Sequence, residues 1–143
     1  MPVLCVLVAG AVRATLPGDA MTVSWTHSVQ QTQWEERYRL SEGGLVLEEA
    51  RVQGSGAGME AGENAVRREG WWTWQPQLHL AAVTLTRSSY AGDYTICSAS
   101  ACTTLAQLAG PTAEGAAVVI APCPGGAAPA PRSSPKAIRQ RRP

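Results

Sequence analysis

Residues 23–38, VSWTHSVQQTQWEERY, narrow the possible folds more than any other stretch, because side chains of different character alternate on both sides of a polar connector. Side chains along a strand point by turns to opposite faces. Val23, Trp25 and His27 therefore fall on one side of an extended segment, with Thr22, Ser24, Thr26 and Ser28 on the other. After QQTQ, Trp34, Glu36, Tyr38 and Leu40 alternate against Glu35, Arg37 and Arg39. We read two strands of a hairpin or corner, which brings His27 near Glu35 or Glu36 across the connection.

The flanking sequence extends this into a meander. Leu16-Pro17-Gly18-Asp19 is turn chemistry opening a strand at about Met21, and Ser41-Glu42-Gly43-Gly44 closes a hairpin into residues 45–53, LVLEEARVQ. Three glycines in residues 54–58 release the backbone from regular structure, and residues 60–68 leave room for one helical turn. Trp71-Trp72-Thr73-Trp74 is β-prone and ends before Pro76. Residues 82–87 make a further strand, and residues 93–98 lead into a hairpin returning over residues 102–105. The sum is an all-β chain, a small antiparallel sandwich or open barrel of about six or seven short strands. Trp71, Trp72 and Trp74 are able to floor a ligand cleft, but with no phenylalanine in the chain they are expected to supply aromatic core volume instead.

Both ends differ from this middle. Residues 3–12, VLCVLVAGAV, are apolar but shorter than the ~20 residues of a spanning helix. With Ala9-Gly10-Ala11 behind them they read as a signal or membrane-anchor segment over residues 1–16, and alternatively as a first buried strand. Residues 17–110 form the β-rich domain. Residues 111–143 crowd Ala, Pro and Gly together and read as a disordered tail, unable to bury enough apolar surface to offset backbone ordering. Seven arginines against ten acids give residues 1–110 a net charge of −3, while five bases against one acid give the rest +4. A mildly acidic domain argues against nucleic-acid binding, which needs a basic face. Membrane contact is expected through the N-terminal segment alone.

Cys97 and Cys102 flank a four-residue loop between strand-like segments, the spacing of a cross-hairpin disulfide in an oxidising compartment. With Cys5 and Cys123 isolated near the ends, the paired knuckles of a structural zinc site are missing. His27 cannot serve as base for Ser28 in an extended segment, since neighbours face opposite ways. Gly54-Ser55-Gly56-Ala57-Gly58 puts glycine where a nucleophile elbow needs serine, and it lacks the lysine of a phosphate loop. Its amides, with Met59 behind, remain able to form a small anion-holding nest. His27 with Glu35 or Glu36 and Asp93 is a chemically possible metal set without diagnostic spacing, so no metal and no cofactor are expected.

In order along the chain, WTHSV, W-E-x-x-Y (Trp34 to Tyr38), GSGAGM, EGWW and DYTIC-x4-C-x-x-L resemble the family called domain of unknown function 1850, over roughly residues 21–110. The resemblance places His27, Ser28, Glu36, Gly56, Ala57, Gly58 and Met59 on the family's characteristic positions. Gln30 stands where a glutamate often follows HSV. The resemblance implies a small extracytoplasmic protein, periplasmic or membrane-anchored facing outside, and the company of TRAP transporters of the TAXI type. The expected function is a non-enzymatic binding or accessory domain for a TRAP membrane or substrate-binding subunit. Its surface is expected at His27, Ser28, Glu35, Glu36, Gly54, Ser55, Gly56, Gly58 and Met59. The alternative is a metal-dependent, hydrolase-like enzyme using His27 with Glu35 or Glu36.

Overall fold

The computed structural model describes residues 3–26, 31–54, 64–88, 92–99 and 101–123. Twelve strands lie among them: β1 (Val3–Val8), β2 (Ala11–Pro17), β3 (Ala20–Thr26), β4 (Gln33–Ser41), β5 (Gly44–Gln53), β6 (Val66–Arg68), β7 (Trp71–Trp74), β8 (Leu78–Leu80), β9 (Val83–Thr86), β10 (Thr95–Cys97), β11 (Cys102–Thr104) and β12 (Ala117–Pro122). One helix, α1 (Leu105–Ala109), lies between the last two. The larger sheet runs β11-β10-β3-β4-β5-β7-β6, with β8 also on β5, and the smaller runs β2-β1-β12-β9. All pairings are antiparallel and neither sheet closes on itself.

The all-β, antiparallel expectation holds, with more strands than the six or seven read from periodicity. Two of the extra pieces, β6 and β8, are three residues long and carry too little pattern to read. Residues 66–68 are strand where a helical turn was expected.

Two expected boundaries move. The signal-like run is strand β1, between β2 and β12, with Leu4 and Val6 fully buried. A strand interior to its sheet and buried over its middle reads as continuous apolar sequence, the same composition as a leader. Gly110 does not end the ordered part. β12, in the segment read as tail, pairs with β1 on one side and β9 on the other, and buries Val118 and Ile120. The rest of that tail, after Cys123, lies outside the described residues.

A disulfide between Cys5 and Cys123, with α-carbons 4.8 Å apart, fastens β1 to the end of β12. The expected Cys97–Cys102 disulfide is present, its cysteines directly opposed across the β10–β11 hairpin. One core joins the sheets. Leu4, Val6, Leu16, Val83, Leu85, Val118 and Ile120 of the small sheet meet Met21, Val23, Tyr38, Leu45, Leu47 and Ile96 of the large one, with Leu105 and Ala109 of α1 at its side. Each such aliphatic side chain contributes about 1.5–3 kcal/mol by leaving water.

Candidate functional site

Register decides which candidates can act together, because residues opposed on neighbouring strands share a face. On the core-facing side of the large sheet one row runs Trp25, Trp34, Val52, Trp72, Arg67 across five strands, β3, β4, β5, β7 and β6. The next row is Val23, Glu36, Ala50, Trp74. Trp25 and Trp34 stack with centroids 6.1 Å apart and planes 13° from parallel. Tyr94 tilts against Trp25 at 5.7 Å, and the Arg67 guanidinium lies 6.0 Å from the Trp72 ring.

This aromatic surface lies at the margin of the sandwich. Trp25 and Tyr94 pack against the shared core, while Trp34, Trp72 and Trp74 continue the same face outside that cluster, all half-buried. The tryptophans of β7 therefore do not fill the main core as expected. Alternation sends Trp72 and Trp74 to the inner face and Trp71 to the outer, where the Arg51 guanidinium covers it at 4.1 Å.

Glu36 is 7% exposed, a rare condition for a carboxylate, and it accepts a hydrogen bond of 2.5 Å from the Tyr38 hydroxyl. Buried polar groups need such partners, since desolvation without one costs about 1–3 kcal/mol. Tyr38 is two residues along the same strand, so the period that buries one buries the other. Glu35 faces the other way. Its carboxylate takes a 2.6 Å hydrogen bond from Arg51 on the outer face, so the two adjacent glutamates belong to different surfaces. Farther along that face Arg39 pairs with Glu48, whose hydrogen bond and charge raise the guanidinium pKa above its ordinary value.

The remaining predicted residues divide by position. His27, Ser28, Ser55, Gly56, Gly58 and Met59 lie outside the described residues. Gly54 follows β5 with a φ of 144°, and its amide donates to the Gly70 carbonyl at 3.0 Å. Thr26 pairs with Gln33, and Gln53 with Trp71, at the end of the sheet where Trp34 meets Val52. The described residues that flank 27–30 and 55–63 thus stand beside the tryptophan row. Asp93, grouped with His27 from sequence, caps the start of α1 instead: its oxygens accept from the Tyr94 and Ala106 amides. Among the described residues no three His, Cys, Asp or Glu side chains gather as a metal site would require.

Sequence reading put Trp34 and Tyr38 on the same face as Glu36 and Trp25 with His27, but did not join the aromatic side chains to Glu36 as one site. The signal was present: a charged residue occupying an apolar position of an otherwise alternating strand. Cys5–Cys123 was also missed, although an even cysteine count with one cross-hairpin pair leaves these two for each other.

Residues 21–105 match the family model described as "Domain of unknown function (DUF1850)". No curated protein and no solved structure matches the chain.

Proposed function

The chain belongs to the DUF1850 family, and we propose that it is an extracytoplasmic, non-enzymatic binding domain serving a TRAP-type solute transporter of the TAXI class. The observation that carries the binding reading is the tryptophan face around Glu36: half-buried indoles outside the shared core, beside a buried carboxylate. Aromatic side chains bury large areas at little entropic cost, and they concentrate where partners dock. Two disulfides and no free cysteine are compatible with an oxidising compartment, which supports an exported location. The transporter is the partner that the family resemblance implies.

The test is co-purification of the full chain with the TRAP permease from solubilised membranes. The complex is expected for the unaltered protein and is expected to be lost on Trp34→Ala, with Cys97–Cys102 intact in both. Failure to co-purify at any salt concentration sinks the transporter assignment, and retention by Trp34→Ala removes the tryptophan face from it. Thiol titration of protein isolated from its native compartment checks location separately. No thiol is expected before reduction and four after it.

A further inference from the structure

The outer face of the large sheet carries two arginines and two glutamates at the corners of a square. Thr22, Arg37 and Glu49 are in register across β3, β4 and β5, and Ser24, Glu35 and Arg51 form the adjacent row. Charge therefore alternates both along and across the strands. The two sides are not equivalent. Glu35–Arg51 is closed at 2.6 Å, with Arg51 also stacked on Trp71. Arg37 instead stands 4.0 Å from Glu49 and 4.0 Å from Glu48, beyond hydrogen-bond reach of both, with its side chain 55% exposed. The strand irregularity between Arg37 and Tyr38 leaves Glu48 unpaired in the ladder, and so brings a second carboxylate to the same guanidinium. The open side borders a depression of about 260 Å³ lined by Thr22, Glu35, Arg37, Glu49 and Arg51.

This charge pattern selects its occupant. A simple anion meets Arg37 but also the surrounding carboxylates, and a simple cation meets both guanidinium groups. A small molecule carrying both charges one carbon apart satisfies each side. Solvated ion pairs at such separations contribute little, so two charge-assisted hydrogen bonds replace them at small cost. We propose that this depression binds an α-amino acid in its zwitterionic form, the carboxylate on the Arg37 guanidinium and Thr22 hydroxyl and the ammonium on Glu49. The site is on the opposite face from the tryptophan row and stands independently of it.

Amide NMR titration of the full chain at low salt tests it, with L-alanine as probe and acetate, ethylamine and phosphoethanolamine beside it. L-alanine is expected to shift Thr22, Arg37 and Glu49 saturably, with a Kd at or below about 10 mM, and the half-ligands about tenfold more weakly. Arg37→Glu and the milder Arg37→Gln abolish the response. The exchange Arg37→Glu with Glu49→Arg restores it, because the reversed pair accepts the reversed zwitterion. The proposal is overturned by unsaturated shifts at about 50 mM L-alanine, by acetate binding as well as L-alanine, or by saturation centred away from these residues. Tighter binding of phosphoethanolamine would assign the site to a lipid headgroup and overturn it too. So would a folded exchange variant that stays silent.

Discussion

At the scale of single residues, Glu36 is the position where sequence pattern and folding energetics disagree most. Its neighbours on the same face, Trp34 and Tyr38, are what a half-buried strand wants; a carboxylate is not. Glu36→Ala removes the acceptor of the Tyr38 hydroxyl and is expected to cost about 1–3 kcal/mol in chemical denaturation, while Glu36→Gln, which keeps an acceptor oxygen, costs less than about 1 kcal/mol. Equal losses from the two variants would show that the Tyr38 bond is not what stabilises the carboxylate. Gly44 offers a second test of a different kind. A β-carbon there would sit 2.2 Å from the Leu80 carbonyl oxygen, so no side chain fits while β8 stays paired with β5. Gly44→Ala is expected to lose about 1–3 kcal/mol, read as a lower denaturation midpoint, and an unchanged midpoint would mean that β8 yields freely.

At the scale of elements, length decided what could be read. β4 and β5 span nine and ten residues, enough for alternation to declare both their type and their faces, and it placed Glu36 with Trp34 and opposite Glu35. β6 and β8 stop after three residues and owe their existence to neighbours rather than to local pattern, whereas the equally short β10 and β11 were legible as the hairpin between Cys97 and Cys102. Asp93 shows the limit for site residues. Its type fits a metal ligand, yet its partners are set by α1, a helix of five residues whose first amides need acceptors. Thr104 supplies one to Gln107, and Asp93 supplies one to Ala106. Asp93→Ala is therefore expected to cost about 1 kcal/mol by the loss of a cap, measured by urea denaturation. A neutral substitution would return Asp93 to the pool of candidate ligands.

At the scale of the whole molecule, the chain is closed on itself by its least promising segments. β1 resembled a leader and β12 lay in an Ala/Pro/Gly-rich stretch, yet together they form the middle of the small sheet, and each buries aliphatic side chains against the large one. The short apolar run over residues 116–121 stands out within residues 111–143, but its Ala/Pro/Gly-rich surroundings make it read as tail, and no local signal joins it to residues 3–8. The join is a long-range pairing locked by a disulfide across 118 residues of sequence. Loop-closure entropy grows with the logarithm of the closed length, so Cys5–Cys123 is expected to stabilise by about 5 kcal/mol and the Cys97–Cys102 pair, five residues apart, by about 2. Replacing Cys5 and Cys123 by serine should therefore lower the denaturation midpoint about twice as much as replacing Cys97 and Cys102, with the order the same in both urea and heat. If the hairpin pair proves the costlier to lose, the union of the two ends is not what holds the sandwich shut.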